Sequence, residues 1–375
     1  MLILWLSLLL LWALFYTYAG YPIIAAILAG LRKPGPGGFS TRYEPTVTVC
    51  LAVHNSALHI RRKLESLMQQ DYPPEKYDIL VFSDGSEDGS DDIVRSLERG
   101  PVRIRLLQSE LRVGKPTALN RLRKIADGEI LVMTDARQPV SPNALRELVG
   151  PFADGRVGCV AGNLVMQGSQ GSGFYWKYEK WIRVSESQLG WSAGVSGALY
   201  AVRKSDVPEL PPDLILDDMW IPLQAQLVGH KKVLFSESAC AYDEAFDDAG
   251  EFRRKVRTLA GNYQLFARMP RILLPFGNPA WFSVVSHKVL RLAGPWLFLG
   301  LWSVSAVGLF SAPKSTSVHR YFAFLFWGQL GFLVIALFGS RVGRWGAIAR
   351  TFVVMNAAAV VGLWRFARGS QKVTW

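Results

Sequence analysis

The sequence predicts a mixed α/β domain with a mostly parallel sheet, flanked at both ends by membrane-spanning helices. Hydrophobic residues make up 50% of the 375-residue chain, and they are concentrated at its two ends. Between about residues 45 and 267, short apolar runs typical of strands alternate with stretches of helical period. Such alternation favours a parallel sheet.

The N-terminal segment, residues 1–31, contains no charged residue. It is longer than the roughly 20 apolar residues that cross a bilayer. A secretory signal would start with a positive charge and carry a shorter apolar core. Residues 1–31 are therefore predicted to form a transmembrane helix.

The C-terminal part contains two uncharged stretches, 292–313 and 321–340, each long enough to span. A third stretch, 345–364, is interrupted by Arg350, so the region 291–364 is predicted to hold two or three spans. Just before it, residues 271–290 mix aromatic with basic side chains. That mixture predicts an interfacial amphipathic helix, with an ordinary packing helix as the alternative.

The net charge of +12 raises the question of nucleic acid as a partner. Its carriers cluster beside the apolar segments, as at Arg32 and Lys33, 253–257, and Arg341 and Arg344. Anionic lipid headgroups account for these clusters as well as nucleic-acid phosphates do. Membrane lipids are therefore predicted partners, and nucleic acid is not.

Positive residues mark the cytosolic side of a membrane protein. Arg32 and Lys33 therefore place the 45–267 domain in the cytosol, and we expect an integral protein of a bacterial inner membrane. A fourth span would put the basic tail 365–372 on the opposite side, against the same rule. The predicted topology thus contains a conflict.

Cysteine and histidine give no sign of a metal or disulfide framework. Cys50, Cys159 and Cys240 are odd in number and show no paired spacing. The five histidines show no metal-ligand spacing either. Reduced thiols in a cytosolic domain are the expected state.

Four strands and three helices are predicted in the first part of the domain. The strands are 46–53, 77–83, 102–108 and 129–134, and the helices are 57–68, 91–99 and 115–126. In such sheets the ligand lies beyond the carboxyl ends of the strands. Asn55, Asp84 and Asp135 follow strand ends and are expected to line that crevice.

Three residues in this crevice suggest recognition of a nucleotide. Asp84 opens the segment DGSEDGS, whose glycines allow backbone amides to approach a polar ligand. Lys115 begins a helix in GKPTALN, where its charge and the helix N-terminus favour phosphate. Asp135 ends a strand, where its carboxylate suits Mg²⁺ or Mn²⁺. Taken singly, an Asp-Gly turn or a surface lysine would carry no function.

Asp217 and Asp218 precede a predicted helix at 219–228. The positive end of a helix favours their ionised form, while their mutual repulsion raises one pKa. This combination suits a general base. A simple helix cap is the alternative.

Seven pieces now stand in order: VCLAVHN, DGSEDGS, GKPTALN, TDAR, SGALYAVRKSD, LDDMWIP and EFRRKVRTLAGN. This ordered set, from about residue 47 to 288, resembles the membrane-bound family 2 glycosyltransferases, which include cellulose, hyaluronan and chitin-oligosaccharide synthases. The resemblance implies a nucleotide-sugar-binding glycosyltransferase A-type fold in 45–267. It also implies a nucleotide-sugar donor and a saccharide or lipid-linked acceptor.

The resemblance assigns roles to the donor-site residues. It implies that Asp84 contacts the uracil and ribose, while Asn55 is assigned to the donor site by its position after the first strand. Lys115 matches the residue that contacts the nucleotide phosphates. Asp135 matches the residue that holds the metal and diphosphate, so Mg²⁺ or Mn²⁺ is the expected cofactor.

The resemblance also implies the catalytic and acceptor residues. Asp218 matches the base that deprotonates the acceptor hydroxyl, with Asp217 beside it. Gly197 and Ala198 match the loop that lines the acceptor site. Arg257 is expected to stabilise the leaving diphosphate.

Two departures from the family pattern stand out. The usual Asp-x-Asp is Asp135-Ala136-Arg137 here, so a cation replaces a carboxylate. Either Asp135 holds the metal alone, or Arg137 itself neutralises part of the diphosphate. The usual Gln-x-x-Arg-Trp is present as 254–258, where Arg254 is also assigned to the donor and Thr258 replaces the aromatic residue.

The predicted reaction is inverting transfer of a sugar, expected from a uridine diphosphate donor, to a growing polysaccharide or oligosaccharide, with possible coupling to export. Transfer of a single sugar to a lipid carrier or glycolipid is the alternative, and Thr258 favours it. A catalytically silent sugar-nucleotide-binding subunit is the third candidate, and it would leave Asp218 without a role.

Overall fold

The computed structural model describes residues 1–32, 43–167, 173–244 and 248–373. Lys33 lies outside the described residues. The helices are α1 Leu2–Leu31, α2 Ala57–Met68, α3 Ser90–Leu97, α4 Lys115–Ile125, α5 Ala144–Val149, α6 Gly173–Leu189, α7 Asp217–Gly229, α8 Asp248–Arg268, α9 Trp281–Ser311, α10 Ser317–Phe338 and α11 Gly343–Ala367.

One sheet of seven strands forms the centre of the α/β domain. The strands are β1 Val47–Val53, β2 Tyr77–Asp84, β3 Arg103–Ser109, β4 Ile130–Thr134, β5 Val157–Gln167, β6 Leu199–Arg203 and β7 Lys232–Glu244. Their order across the sheet is β3-β2-β1-β4-β6-β5-β7. Only β6 runs antiparallel to its neighbours β4 and β5, so the predicted mostly parallel α/β fold is confirmed.

Helices cover both faces of this sheet, which explains why its central strands are apolar throughout. Every residue of β1 and β4 is buried. Val49 and Leu51 pack on the face covered by α2 and α5, while Cys50 and Ala52 pack on the face covered by α4 and α7. Because side chains alternate between the two faces, a strand buried on both loses the polar alternation of a half-exposed strand.

Three helical segments are long and apolar enough to cross a membrane: Leu2–Leu31, Trp281–Ser311 and Ser317–Ala367. The third is divided into α10 and α11 by a turn at which Gly339 and Gly343 have φ values of 56° and 74°. Large apolar side chains on these helices are exposed, including Trp5, Phe310 and Phe324. Exposed apolar surface of this extent suits contact with lipid.

The separate interfacial helix expected at 271–290 does not form. A single 3₁₀ turn occupies Pro270–Leu273, and α9 starts only at Trp281. Gly277 takes a φ of 67°, and the Asn278 side chain bonds the Ile272 carbonyl at 2.8 Å and the Ala280 amide at 3.0 Å. These hydrogen bonds within the turn take the place of helical ones. The chain therefore becomes helical again only at Trp281, where the long apolar helix α9 begins.

A buried carboxylate joins two of the long apolar helices to the α/β domain. Glu186 of α6 accepts hydrogen bonds from the Tyr21 hydroxyl of α1 at 2.7 Å and the Ser283 hydroxyl of α9 at 2.7 Å. Its oxygen also lies 2.8 Å from Nδ1 of His287. Burial alone would raise the pKa of Glu186, but His287 and the two hydroxyls lower it to about 2. The start of α9 is thereby held against the domain.

Helix α10 returns along α9 toward the domain. The Phe322 ring lies against Gly308 near the far end of α9, and Phe332 lies beside Phe298, with ring centroids 6.2 Å apart. The later residues of α10 therefore pair with the earlier residues of α9. The C-terminal end of α10 lies on the side of the α/β domain.

Helix α11 has both ends on that same side. Near its start, Gly346 lies against the carbonyl of Gly339 at the end of α10. Near its other end, Gly362 lies against Leu259 of α8, and the Phe366 ring stacks on Tyr263 of α8 with centroids 6.2 Å apart. Helix α11 therefore packs along the domain-facing side of the bundle.

Candidate active site

Lys115 occupies the centre of a charged cluster at the carboxyl edge of the sheet. It is the first residue of α4. Its Nζ lies 3.0 Å from Oδ1 of Asp135, just after β4, and 3.4 Å from Oδ1 of Asp217, at the start of α7. Burial lowers the pKa of Lys115, but the Asp135, Asp217 and Asp218 carboxylates outweigh it and hold the pKa above its ordinary value. The lysine is charged at neutral pH.

The two adjacent aspartates at the start of α7 have different surroundings. Asp217 is buried, and its Oδ2 accepts a hydrogen bond from the Tyr200 hydroxyl at 3.4 Å. Asp218 is half-buried, and its Oδ2 accepts from the Gly197 amide at 3.1 Å. Only Asp218 combines partial exposure with a fixed orientation, as a group that meets a substrate requires.

The pKa of Asp218 is raised to about 6. Desolvation is the main cause, and repulsion from Asp217 adds to it, while Lys115 and the Gly197 amide oppose it. A carboxylate with this pKa is ionised at neutral pH and still basic enough to accept a proton. Those are the properties of a general base.

Gly197 and Ala198 form the turn that leads into β6. A Cβ at position 197 would lie 3.4 Å from the Asp218 Oδ2 and 3.6 Å from the Lys115 Nζ. The backbone of Gly197 thus lies between the lysine and the carboxylate. The Ala198 carbonyl accepts a hydrogen bond from the Thr134 hydroxyl at 2.6 Å, which ties this turn to the end of β4.

Asp84 fixes the turn that immediately precedes Lys115. Its buried carboxylate accepts hydrogen bonds from the Val113 amide at 2.6 Å and the Gly114 amide at 2.9 Å. These bonds hold the turn at which α4 begins. Both oxygens are engaged with the chain itself, so the contact with uracil and ribose implied for Asp84 stays a prediction.

Asn55 joins the two loops that follow β1 and β2. It takes a φ of 47°, a left-handed conformation that asparagine tolerates better than most residues. Its side-chain oxygen accepts from the Glu87 amide at 2.9 Å, and its own amide donates to the Ser86 hydroxyl at 3.1 Å. Asn55 therefore shapes the crevice, and direct contact with a donor remains a prediction.

Arg137 is directed toward β7. Its guanidinium lies 2.9 Å from Oδ2 of Asp243, a buried carboxylate that also accepts from the Gln138 amide at 2.9 Å. This pairing gives Arg137 a structural partner away from the Lys115 cluster. Of the two alternatives for the altered Asp-x-Asp motif, the geometry favours metal binding by Asp135.

The donor set for a metal is small. Among the described residues, no group of three or more His, Cys, Asp or Glu side chains is arranged to hold a metal ion. The Asp135 side chain is 40% exposed, and Lys115 contacts one of its two oxygens. One carboxylate fits a Mg²⁺ or Mn²⁺ ion that takes its other ligands from diphosphate and water.

Arg257 lies on the face of α8 that approaches the segment leading into Asp217 and Asp218. On that face, Gly261 lies against Leu216, and Gln264 accepts a hydrogen bond from the Ile215 amide at 3.0 Å. Positions four and seven residues apart share a helix face, which places Arg257 with them. Its Nε is buried and has no hydrogen-bond partner among the described residues. An anionic ligand would satisfy it.

Arg254 and Thr258 complete the altered motif on α8. The Arg254 guanidinium lies over the Trp176 ring of α6, 5.6 Å from the centroid. The exposed Thr258 hydroxyl donates to the Arg254 carbonyl at 3.0 Å. Arg254 is thus packed against α6, and its assignment to the donor stays a prediction.

Lys63 is a site residue that sequence reasoning missed. It is fully buried, and its Nζ donates to the Thr134 hydroxyl at 2.7 Å and the Gln138 carbonyl at 2.6 Å. These bonds fix the turn after β4. Burial lowers the pKa of Lys63 to about 7. In the sequence, Lys63 lies between Ile60 and Leu67 on the apolar face of helix α2, and this position indicates a buried side chain.

The parallel sheet, the carboxylates at its carboxyl edge and the lysine between them define a glycosyltransferase domain with a nucleotide-sugar-binding fold. Residues 48–205 match the family model described as Glycosyl transferase family 2. Residues 48–205 are therefore a Glycosyl transferase family 2 domain.

Curated relatives match about a third of the chain. Glycosyltransferase AglE of Haloferax volcanii is 29% identical over 120 residues, which are 32% of this chain and 40% of that protein. Beta-monoglucosyldiacylglycerol synthase of Nostoc sp. is 27% identical over 118 residues, which are 31% of this chain and 25% of that protein. The chain therefore spans less than half the length of either relative.

One solved structure matches almost the whole chain. The mannosyltransferase PcManGT from Pyrobaculum calidifontis, in complex with GDP-Man and Mn²⁺, superposes with a TM-score of 0.76 at 24% sequence identity. The match covers 97% of this chain and 99% of that one. The likeness shows that the two proteins share a fold over almost their whole lengths.

Proposed function

We propose that this protein is an inverting glycosyltransferase in which Asp218 is the general base. The acceptor hydroxyl attacks the anomeric carbon of the donor sugar, and Asp218 takes the hydroxyl proton. The new carbon–oxygen bond forms as the bond to the diphosphate breaks, and the nucleoside diphosphate leaves with the bonding electrons. The observation that carries this proposal is the half-buried Asp218, held by the Gly197 amide beside Lys115.

The diphosphate gains negative charge as it leaves, and this charge must be stabilised. Lys115 lies at a helix N-terminus next to the catalytic carboxylates, where its ammonium meets the phosphates. Arg257 approaches from α8 with a buried N–H available for a further oxygen. A divalent ion held by Asp135 would supply additional positive charge at the diphosphate. Preorganised charges of this kind usually contribute most of the acceleration.

The acceptor we favour is lipid-linked. Thr258 stands where an aromatic residue would pack against the acceptor sugar in the resembled polymer synthases. The similarity to a Beta-monoglucosyldiacylglycerol synthase supports a lipid acceptor. A second candidate, extension of a polymer, is supported by the similarity to a Poly(ribitol-phosphate) beta-glucosyltransferase.

A donor panel tests this function. Purified protein in detergent with membrane lipid extract is incubated with radiolabelled uridine and guanosine diphosphate sugars, because the structural neighbour holds GDP-Man and the sequence predicted uridine donors. We expect one donor to yield a labelled lipid with a single added sugar. Chelator should stop the reaction, and Mn²⁺ or Mg²⁺ should restore it. Release of nucleoside diphosphate from no donor would refute the proposal, and a ladder of long products would select the polymer candidate.

We further propose three membrane crossings, α1, α9 and α10, with the α/β domain in the cytosol. Both ends of α11 pack on the domain side, so the basic tail 365–372 lies on the same side as Arg32. This arrangement removes the conflict with the positive-inside rule.

Cysteine labelling checks this topology. In a variant with the three native cysteines replaced, Lys314→Cys places a thiol in the turn between α9 and α10, and Ser370→Cys places one in the tail. A membrane-impermeant maleimide added to sealed cells should label position 314 and spare position 370 until lysis. Labelling of position 370 before lysis would show that α11 crosses the membrane.

A further inference from the structure

A second cavity lies between the membrane helices and the α/β domain. It has a volume of about 380 Å³ and is lined by residues of α1, α6, α8, α9 and α11. From α8 it receives Lys255, Thr258, Leu259 and Asn262, whereas Arg257 and Gly261 belong to the face that approaches Asp217 and Asp218. The cavity therefore borders the position of Thr258 but is separate from the charged cluster around Lys115, none of whose residues lines it.

The polar part of the cavity carries an excess of positive charge. Lys255, Lys288 and Arg291 line it, together with a single carboxylate, Glu179. Glu179 forms an ion pair with Arg291 and lies 3.3 Å from Nε2 of His287. One acidic side chain therefore faces three basic side chains. An anion is the ligand that this imbalance selects.

Two polar groups in the lining are poised for a ligand. Lys288 has neither a hydrogen bond nor an ion pair within the part of the chain that the structure describes. Asn262 is 4% exposed, and its buried side-chain oxygen likewise lacks a partner among the described residues. Buried polar groups are usually satisfied, so the Asn262 oxygen indicates a missing partner. The half-buried Lys288 ammonium in the same lining is available to an anion. A phosphate could accept from Lys288, and a hydroxyl beside it could donate to Asn262.

The other wall of the cavity is apolar. It is formed mainly by α11, through Ile348, Phe352, Met355 and Ala359, with Leu259 from α8. These residues belong to a helix that packs along the lipid-exposed bundle. A cationic end joined to an apolar wall matches an amphiphile with an anionic head. A volume of about 380 Å³ takes a headgroup and the first part of its chains.

We propose that this cavity binds the phosphate headgroup of an anionic membrane lipid. The phosphate meets Lys288, with Lys255 and Arg291 beside it, and the acyl chains lie against α11. The bound lipid joins α8, α9 and α11, and so holds the helix that carries Arg257 in place. This site is separate from the nucleotide-sugar site, and its occupancy needs no sugar transfer.

The test measures binding to the full-length protein in a neutral detergent. Phosphatidic acid is titrated, and the midpoint of thermal unfolding is followed. Diacylglycerol with the same acyl chains and inorganic phosphate are titrated in parallel. We expect phosphatidic acid alone to raise the midpoint. An equal rise with diacylglycerol would show that the headgroup is not recognised, and an equal rise with inorganic phosphate would show a free-anion site; either would overturn the proposal.

Three variants locate the binding. Lys288→Met removes one charge from the cavity and should raise the apparent dissociation constant for phosphatidic acid at least tenfold. Lys314→Met removes an equal charge from the exposed turn after α9 and should change nothing. Met355→Trp leaves every cation in place but fills the apolar part, and it should weaken binding as Lys288→Met does. Unchanged affinity in both cavity variants would overturn the assignment, and if Lys288→Met does not fold, Met355→Trp decides it alone.

Discussion

Replacing Asp218 with asparagine is expected to lower turnover by about 10² to 10⁴-fold, the usual contribution of a general base. The amide keeps the size of the side chain and can still accept from the Gly197 amide, so the local structure should persist. What it loses is the ability to take the acceptor proton. Donor affinity, measured by calorimetry with the intact nucleotide sugar, should change by less than about threefold, or roughly 0.7 kcal/mol.

Asp217→Asn is the matched control. Asp217 is buried, accepts a hydrogen bond from Tyr200 and pairs with Lys115, so we expect it not to contact the acceptor. Its replacement should retain most of the turnover at pH 8. It should also lower the pKa of Asp218, because the repulsion between the two carboxylates is removed. A dead Asp217→Asn beside an active Asp218→Asn would reassign the base, and activity in both would remove the base from the mechanism.

The pH dependence of turnover follows from the same carboxylate. Asp218 acts as a base only when deprotonated, and its pKa is about 6. Donor-saturated turnover of the wild-type protein should therefore rise with pH through about 6 and level off above it. In Asp217→Asn the rise should occur at lower pH. A profile that is flat from pH 4.5 to 8 would contradict a titrating base at this position.

Lys115→Met is expected to lower kcat by about 10² to 10³-fold, the cost of removing one preorganised group that stabilises transition-state charge. Methionine retains the length of the side chain but not its charge. The Asp135 and Asp217 carboxylates would then face the diphosphate without the cation that lies between them. We therefore also expect donor affinity to fall, unlike in Asp218→Asn.

Lys124→Met provides the control for Lys115, because it removes a lysine from the exposed last turn of the same helix. It should match the wild-type protein in turnover and donor affinity. Thermal unfolding of both variants separates a catalytic loss from a folding defect. If Lys115→Met folds and retains turnover within about tenfold of the control, the leaving diphosphate is stabilised by other groups.

The regular elements of the α/β domain follow from local sequence. Helix α2 covers the predicted residues 57–68, and the first four strands begin and end within one or two residues of their predicted bounds. Periodicity of apolar residues is a property of neighbouring positions, so it is visible without the fold. The same local signals placed Lys115 at a helix start and Asp135 after a strand.

The sequence contains local signals for the break before α9. Pro275, Gly277 and Pro279 interrupt the segment 271–290, yet its amphipathic composition favoured a helix. Asn278 then closes the turn through its own side chain. The mixture of aromatic and basic residues predicts only that this segment has an amphipathic surface. Its proline and glycine residues and the Asn278 side chain determine that the backbone turns.

The sequence by itself determined the class of fold, the apolar helices and the set of polar residues at the strand and helix ends, because each depends on neighbours in the chain. Only the tertiary structure decided which of Asp217 and Asp218 is the less buried, where Arg137 points and which way α11 runs. The partners that settle these questions, Tyr200 and Asp243 among them, lie in other elements of the chain. Contacts between residues in different elements depend on how the helices and strands pack, so the pattern of neighbouring residues in the sequence does not predict them.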